Sequence, residues 1–327
     1  MDQNKPKILI TESIPDTVIE YLKQYGDVTI GEKGHFQSEE NLLSEIDKYD
    51  ALLCMLSVPV TERVLKKGKN LKIVANFAVG YDNIDAQTAH SLGIKVANTP
   101  DVLTEACGDY AMGLLLALSR KLKKAEEYLR NGNFNGWEPL GFLGMELRDR
   151  NLGIIGMGRI GQAFAHRARA FGMNILYHNR SRLDSDIESE LGAKYINDPT
   201  TLAEKSDVIS LNCPLTESTH HLVDVDFLTH MPEHALLINI SRGAVIDEAS
   251  LAEALHNKII AGAALDVFEK EPEVHPRLLT APNTMLLPHI ASATHSTRED
   301  IGMLAANAIV SVLNGKDDSD IQNLITP

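Results

Sequence analysis

The sequence has few cysteines, few aromatic residues and no long hydrophobic run. Its three cysteines, Cys54, Cys107 and Cys213, are odd in number and far apart along 327 residues, so they indicate neither a disulfide framework nor a zinc site. The most apolar stretch, residues 110–119, is about half of the ~20 residues that a membrane helix needs. The first ten residues lack the apolar segment of a secretion signal. We therefore expect a cytoplasmic protein that does not associate with membranes.

Positive charge is also scarce. Lys and Arg number 31 against 45 Asp and Glu, which gives a net charge of −14 and a pI near 5.3. Because polyanions attract basic surfaces, this balance argues against nucleic acid as a partner. The hydrophobic fraction of 44% and the charged fraction of 23% are those of a globular protein. At ~100–200 residues per domain, the length favours two domains.

Short apolar runs alternate with helical patterns along most of the chain. This alternation predicts an α/β protein with two doubly wound parallel-sheet domains, Rossmann- or flavodoxin-like, and a cleft between them. A single connecting helix is predicted over residues 104–130, a loop or arm over 131–144 and a last helix over 295–313. The predicted strands are 7–11, 28–30, 51–56 and 71–79 in a first series, and 152–156, 174–177, 208–212, 236–240, 260–265 and 285–287 in a second.

A glycine-rich segment stands between a predicted strand and the predicted helix 159–171. It reads G-M-G-R-I-G, with Gly156, Gly158 and Gly161 in the spacing of the dinucleotide-binding fingerprint. There the first glycine allows a tight turn, the second lets the pyrophosphate approach, and the third lets the helix pack on its strand. The helix N-terminus offers N–H donors to the phosphates. The pattern predicts a dinucleotide site, with a structural strand–helix turn as the alternative.

The strand that follows ends without the carboxylate that binds the adenosine ribose in NAD enzymes. Residues 178–182 read His-Asn-Arg-Ser-Arg, and no acidic residue occurs before Asp184. Arg180, Arg182 and the hydroxyl of Ser181 suit a 2′-phosphate, since guanidinium groups bind phosphate in a bidentate manner. NADP(H) is therefore favoured over NAD(H). The alternative is a solvated, charged turn that leaves NAD(H) use intact.

Three reactive side chains each follow a strand of the second series. They are Arg242, Glu271 and His289, and the carboxyl ends of parallel strands are where open α/β sheets bind ligands. Hydride transfer to a ketone leaves an alkoxide, to which a histidine can give a proton. A carboxylate can orient the imidazole, and a guanidinium can bind a substrate carboxylate. From spacing alone, a core histidine and two ordinary turns remain alternatives.

These motifs together resemble the D-2-hydroxyacid dehydrogenase family. They are GMGRIG at 156–161, CPLT at 213–216, NISRGAVID at 239–247, LDVFEKEP at 265–272 and PHI at 288–290, and they cover essentially the whole chain in the family's order. The resemblance implies that Arg242, Glu271 and His289 are catalytic, with His289 as acid/base and Glu271 as its partner. It also implies that Asp266 lies near the nicotinamide amide. With the 179–182 turn, the predicted cofactor-binding residues are Gly156, Gly158, Arg159, Ile160, Gly161, Asn179, Arg180, Ser181, Arg182, Cys213, Pro214, Ile240 and Asp266.

The segment WEPLGFLGMEL at 137–147 resembles the glyoxylate/hydroxypyruvate reductase branch of that family. The resemblance implies a homodimer in which Trp137 reaches the partner's active site. It also implies that the backbone amides of Val79 and Gly80 bind the substrate carboxylate opposite Arg242, and that Ser292 lines the substrate pocket beside His289. The expected reaction is NAD(P)H-dependent reduction of a small 2-keto acid, glyoxylate or hydroxypyruvate, to the D-2-hydroxy acid.

Other readings of the sequence remain open. D-lactate or phosphoglycerate dehydrogenase activity is the alternative within the enzymes, and a cofactor-sensing corepressor is the alternative from another class. No metal is expected, because the histidine pairs 220/221 and 230/234 have no set of further ligands beside them. The resemblance places the substrate-binding domain at residues 1–100 and 290–327 and the dinucleotide-binding domain at residues 101–289.

Overall fold

The computed structural model describes residues 5–326, which fall into two compact units. The smaller unit contains the residues up to 103 and those from 293 onward, and the larger unit contains residues 104–292. The predicted limits, 100/101 and 289/290, lie within three residues of these. The outer limits of the predicted domains, residues 1 and 327, lie outside the described residues. The functions assigned to the two domains stay predictions at this point.

The smaller unit is a five-stranded parallel sheet with the strand order β2-β1-β3-β4-β5, which is the flavodoxin-like doubly wound order. Its strands are β1 (Lys7–Ile10), β2 (Asp27–Ile30), β3 (Ala51–Cys54), β4 (Ile73–Asn76) and β5 (Lys95–Ala97), and its helices are α1 (Asp16–Lys23), α2 (Glu39–Glu45), α3 (Glu62–Lys67), α4 (Ala86–Ser91) and α13 (His295–Leu313). Leu9, Leu52 and Val74 pack with α2, α3 and α4 in one cluster. The helices α1 and α13 pack together, and α13 also packs on β3 and β4.

The larger unit is a seven-stranded parallel sheet with the order β12-β11-β10-β9-β6-β7-β8. Its strands are β6 (Asn151–Ile155), β7 (Asn174–His178), β8 (Ala193–Tyr195), β9 (Val208–Leu211), β10 (Leu236–Asn239), β11 (Gly262–Leu265) and β12 (Thr284–Leu286). Its helices are α5 (Thr104–Ser119), α6 (Leu122–Arg130), α7 (Arg159–Ala170), α8 (Ser185–Leu191), α9 (Pro199–Lys205), α10 (Val225–His230), α11 (Glu248–His256) and α12 (Pro276–Leu279). The strand order reverses between β6 and β9, which makes the carboxyl ends of these strands a topological switch point, the usual ligand crevice.

The central strands of both sheets are buried along their whole length. Every residue of β3, β4, β9, β10 and β11 is buried, as expected for parallel strands covered on both faces. The doubly wound fold predicted from the alternating pattern is therefore confirmed. The pattern missed β5 and β8, which have three residues each.

The single helix predicted over residues 104–130 is wrong, because the chain forms α5 and α6 with a break at Lys121. Lys121 adopts a left-handed conformation with φ of 54°. The carbonyl of Ser119 accepts a hydrogen bond of 2.9 Å from the backbone N–H of Met145, and a Cβ on Gly144 would collide with the same carbonyl oxygen. The C-terminal end of α5 is thus in contact with Gly144 and Met145, a segment that begins 25 residues after Ser119. Helix periodicity carries no information about such a contact.

The predicted arm forms no helix or strand between α6 and β6. The last helix, α13, has the predicted bounds, and Gly315 follows it with φ of 71°. Within residues 5–326, none of the helices combines the length and apolarity required to cross a bilayer.

Candidate active site

The glycine-rich segment forms the turn between β6 and α7 at the switch point of the larger sheet. Gly156 has φ of 94°, and a Cβ there would collide with the backbone nitrogen of Cys213 at the end of β9. A Cβ on Gly161 would collide with the carbonyl oxygen of Gly156. Packing within the protein therefore requires both of these glycines.

Gly158 is different, because a Cβ at this position would have no atom within 4 Å. The protein's own packing does not require glycine here, whereas a pyrophosphate approaching the backbone does. Gly158 also caps α7 and has no side chain to occupy the N–H groups of the first turn, which begins with Arg159 and Ile160. This open helix N-terminus fits the diphosphate of a dinucleotide.

Asn179, at the end of β7, fixes the glycine-rich turn from the side. Its Oδ1 accepts a hydrogen bond of 2.7 Å from the backbone N–H of Met157, and its carbonyl oxygen accepts one of 3.2 Å from the hydroxyl of Tyr195. The side chain of Asn179, the first residue after β7, therefore stabilises the glycine-rich turn. The next two residues, Arg180 and Ser181, are exposed and form no hydrogen bond or ion pair within residues 5–326.

The two arginines predicted to bind a 2′-phosphate differ in their surroundings. Arg182 forms a bidentate pair with Glu188, with Nε–Oε1 at 2.8 Å and Nη2–Oε2 at 2.7 Å. The buried Tyr177 donates a further bond of 2.6 Å to Glu188. The hydrogen bonds from Arg182 and Tyr177 lower the pKa of Glu188 to about 2. Arg182 is thus already paired in this structure, and Arg180 is the arginine whose guanidinium is open.

The other predicted cofactor residues follow strands of the same sheet. Cys213 and Pro214 follow β9, Ile240 follows β10 and Asp266 follows β11. Burial raises the pKa of Cys213 to about 11, so its side chain is a neutral thiol. Ile240 is half-buried and Pro214 is exposed. These residues therefore lie at the carboxyl ends of the strands, on the same edge of the sheet as the glycine-rich turn.

The structure brings the three predicted catalytic residues to neighbouring strands. Arg242 follows β10, Glu271 follows β11 and His289 follows β12, and these three strands are adjacent in the sheet. A Cβ on Gly243 would collide with the backbone of Phe268, so glycine is required for the Arg242 loop to lie against the segment after β11. The Arg242 carbonyl accepts a bond of 2.9 Å from Asn239, which fixes the loop to the end of its strand.

His289 and Glu271 form a direct pair. The distance from His289 Nδ1 to Glu271 Oε2 is 2.9 Å, and Glu271 Oε1 accepts a bond of 3.1 Å from the N–H of Phe268. Burial alone would raise the pKa of Glu271, but the His289 hydrogen bond and the charges of His289 and Arg242 lower the pKa below its ordinary value. An ionised Glu271 accepts from Nδ1–H of the imidazole. The second ring nitrogen, Nε2, is then the one that can exchange a proton with a substrate.

Two residues of this region were not predicted from the sequence. Glu248, buried at the start of α11, accepts bonds from the N–H groups of Glu269 (2.6 Å) and His275 (3.1 Å), which hold the turn that carries Glu271. Tyr110 on α5 donates a bond of 2.7 Å to Asp266. In the sequence, Glu248 is one of several acids near a helix start and Tyr110 lies in an apolar helix pattern. Neither carries a local signal of its role.

The Val79–Gly80 turn belongs to the smaller unit. The carbonyl of Val79 accepts a bond of 2.7 Å from Asn98, and the carbonyl of Gly80 accepts one of 2.7 Å from Asn76. The backbone N–H groups of Val79 and Gly80 donate no hydrogen bond to any residue in the described range. Adjacent free N–H groups of this kind can bind a carboxylate.

The remaining predicted residues lie in less constrained positions. Ser292 is half-buried shortly after His289, and Trp137 is 84% exposed on the arm. His220 and His221 stack with their ring centroids 4.0 Å apart, and His221 lies 3.1 Å from Glu269. Across residues 5–326, no cluster of three or more His, Cys, Asp or Glu side chains could hold a metal ion.

Comparison with known proteins gives one consistent family. Residues 112–291 match the model of the NAD-binding domain of D-isomer specific 2-hydroxyacid dehydrogenases. A glyoxylate reductase of Thermococcus onnurineus is 45% identical over 316 residues, which cover 95% of this chain and 94% of that protein.

Solved structures agree with this match. A Polaromonas protein described as a D-isomer specific 2-hydroxyacid dehydrogenase is 38% identical with a TM-score of 0.91, covering 98% of this chain and 100% of that one. An NADPH-dependent glyoxylate/hydroxypyruvate reductase of Sinorhizobium meliloti, in complex with NADP and malonate, is 37% identical with a TM-score of 0.85. That match covers 95% of this chain and 94% of the other.

Proposed function

The chain belongs to the D-isomer specific 2-hydroxyacid dehydrogenase family, and we propose that it reduces glyoxylate or hydroxypyruvate to the D-2-hydroxy acid at the expense of NADPH. The observation that carries this proposal is the pair of His289 and Glu271, which follows adjacent strands next to the strand of Arg242. The proposal is supported by relatives named glyoxylate reductase and glyoxylate/hydroxypyruvate reductase, which are 45% and 37% identical to this chain.

The proposed chemistry assigns one task to each residue. Bound NAD(P)H supplies the hydride, and the glycine-rich turn with the α7 N-terminus holds its diphosphate. Arg242 binds the carboxylate of the keto acid and polarises the neighbouring carbonyl. His289 gives the Nε2 proton to the oxygen that becomes the alcohol, and the ionised Glu271 stabilises the imidazolium form before this transfer. The free amides of Val79 and Gly80 are further candidates for the carboxylate, and Ser292 is a candidate pocket residue.

Steady-state oxidation of NADPH with four keto acids tests the proposed function. We expect glyoxylate and hydroxypyruvate to give the highest kcat/KM, and pyruvate and 3-phosphohydroxypyruvate to be poor substrates. A preference for pyruvate would indicate a D-lactate dehydrogenase, and a preference for the phosphorylated substrate would indicate a phosphoglycerate dehydrogenase. Binding of NADPH without turnover of any of the four would favour the corepressor alternative.

We further propose that NADP(H) is preferred to NAD(H) because of Arg180, with Asn179 and Ser181 in the same turn. The open guanidinium of Arg180 supports this, whereas Arg182 is paired with Glu188. A charge-assisted hydrogen bond contributes about 1.5–3 kcal/mol, so Arg180→Ala should raise the KM for NADPH roughly 10- to 150-fold. The KM for NADH should stay within about twofold.

Arg182→Ala is the matched control for this prediction. It removes the charged partner of Glu188, so it should lower the melting temperature while changing the ratio of NADPH to NADH efficiency less than Arg180→Ala does. Equal losses with both cofactors in Arg180→Ala would contradict the assignment. Use of NADH by the unmodified protein at least as efficiently as NADPH would also contradict it.

A homodimer is proposed from the exposed apolar side chains of the arm. Trp137 is 84% and Leu140 is 80% exposed, and the arm borders a groove of about 630 Å³ that Leu116, Met145 and Phe171 also line. Apolar surface of this kind is typical of an interface. Trp137 is proposed to reach the partner's active site.

Light scattering tests the dimer. The unmodified protein should have about twice the 35.9 kDa mass of one chain. Leu140→Glu should yield monomers, because it buries a charge in the interface. The control Leu279→Glu changes a leucine that is 64% exposed on α12 and should leave the mass unchanged. A monomeric unmodified protein would overturn the proposal.

A cytoplasmic location is proposed from the thiols. Cys54 and Cys213 are free thiols and are buried, and burial raises the pKa of Cys54 to about 12. Proteins of oxidising compartments typically pair their cysteines, whereas free thiols are usual in the reducing cytoplasm.

A further inference from the structure

His289 has an unusual backbone conformation. Its φ is 55°, in the left-handed region that a residue with a side chain rarely adopts. Such a conformation persists only where the surrounding structure holds it in place. The direction of the imidazole therefore depends on the contacts that fix the backbone of residues 289–291.

Asp266 provides these contacts. Its carbonyl oxygen accepts a bond of 2.8 Å from the N–H of His289. Its carboxylate accepts from the next two residues, with Oδ1 at 2.9 Å from the N–H of Ile290 and Oδ2 at 2.8 Å from the N–H of Ala291. Asp266 is 0% exposed, so water does not compete for these bonds. One buried residue thus holds three consecutive N–H groups.

Tyr110 completes the coordination of this carboxylate from another element. Its hydroxyl, on α5, donates a bond of 2.7 Å to Asp266 Oδ1, and its ring packs against the core of the larger unit. Burial and the bond to Asp266 raise the pKa of Tyr110, so the hydroxyl stays a neutral donor. Burial also raises the pKa of Asp266, a shift that the bonds from Ile290, Tyr110 and Ala291 oppose. Losing the hydroxyl would leave the carboxylate with fewer donors in a buried place.

We propose that Tyr110 is a positioning residue for catalysis, which acts through Asp266 to hold the segment 289–291 and thereby direct the imidazole of His289. The inference rests on the proposed role of His289 as proton donor. Tyr110 donates to Asp266, which holds residues 290 and 291, so its main effect should appear in the rate of the chemical step. Because Asp266 is also a predicted cofactor residue, a smaller change is expected in the KM for NADPH. If Tyr110 served packing alone, its contribution to stability would come from its ring. Phenylalanine keeps the ring, so Tyr110→Phe would then leave catalysis unchanged.

The test is Tyr110→Phe, which removes only the hydroxyl. We expect kcat for glyoxylate to fall at least fivefold, with the KM values for glyoxylate and NADPH within about twofold of the unmodified protein. The matched control is Tyr21→Phe, because the Tyr21 hydroxyl also donates a bond of 2.7 Å, to Asn307 in the smaller unit. This control should leave kcat unchanged.

Two further measurements separate positioning from general loosening. In an Asp266→Asn background, adding Tyr110→Phe should change kcat by less than twofold, since the two residues act in series. Hydrogen exchange of the amides of Ile290 and Ala291 should be faster in Tyr110→Phe, while exchange in β10 stays the same. The exchange measurement does not depend on activity and applies even if the Asp266 variant fails to fold.

The outcomes separate this inference from the proposed function. An unchanged kcat in Tyr110→Phe, or a change confined to the KM for NADPH, overturns the inference. Unaltered exchange at Ile290 and Ala291 overturns it as well. If the unmodified protein reduces no keto acid, the proposed function fails first. If His289→Ala is inactive while Tyr110→Phe is fully active, the proposed function stands and the positioning role is wrong.

Discussion

His289→Ala is expected to lower kcat for glyoxylate reduction by about 10²- to 10⁴-fold, the contribution typical of a positioned acid–base group. The imidazole is held by Glu271 at 2.9 Å through Nδ1, which leaves Nε2 for the proton transfer. Alanine removes the proposed donor, so the alkoxide would have to take its proton from water. Binding of NADPH does not use this proton, and its dissociation constant should stay within about threefold. Steady-state kinetics and a fluorescence titration of NADPH provide the two measurements.

His234→Ala is the matched control. His234 also lies beside a carboxylate, with Nε2 2.7 Å from Asp207, but it precedes β10 and therefore lies at the amino ends of the strands, away from the candidate site. Asp207 keeps its bonds from Arg150 and the N–H of Asn151. We expect kcat of this variant to stay within twofold. Retention of more than a tenth of the activity in His289→Ala would exclude His289 as the proton donor.

The second large effect is expected at Arg242. Arg242→Ala should lower kcat/KM for glyoxylate by about 10²- to 10³-fold, the cost typical of removing one preorganised group that stabilises developing charge. Because Arg242 is assigned to the substrate carboxylate, the KM for glyoxylate should rise while the KM for NADPH stays nearly unchanged. Arg242→Lys keeps the charge but not the planar fork, so its efficiency should fall between those of the alanine variant and the unmodified protein.

Arg277→Ala controls for the loss of an arginine from the same unit. Arg277 pairs with Glu253 between α12 and α11 and is half-exposed, and surface pairs of this kind contribute at most about 1 kcal/mol to stability. Its kinetic constants should be unchanged. If Arg242→Ala raised the KM for NADPH and left the KM for glyoxylate alone, the guanidinium would belong to the cofactor site and the assignment to the substrate carboxylate would be wrong.

Much of the candidate site could be predicted because it follows from local chemistry. Gly156 and Gly158 lie between β6 and α7, and Gly161 lies in the first turn of α7. The turn itself requires this spacing. Arg242, Glu271 and His289 each follow a buried apolar run. Parallel strands end at the same edge of a sheet, so the order of strands and side chains favoured a common site for the three, and the family resemblance assigned their roles.

Contacts between distant segments could not be predicted in this way. The break at Lys121 lies beside the bond from Met145 to Ser119, and the bond from Tyr110 to Asp266 joins residues 156 positions apart. The pairing of Arg182 with Glu188 is local, yet no feature of the sequence favoured Glu188 over a phosphate as the partner of Arg182. Each case depends on which polar group comes within 3 Å of another after the core has packed.

The sequence by itself determined the doubly wound fold and the dinucleotide turn, because periodicity and motif spacing are properties of neighbouring residues. Its resemblance to a known family indicated the three residues proposed for catalysis. The tertiary structure decided which of these side chains are already paired and which are open. It paired Arg182 and left Arg180 open, and it fixed His289 through Asp266 and Tyr110. Polar groups buried by packing must find partners wherever the fold brings them, and a linear pattern does not contain those distances.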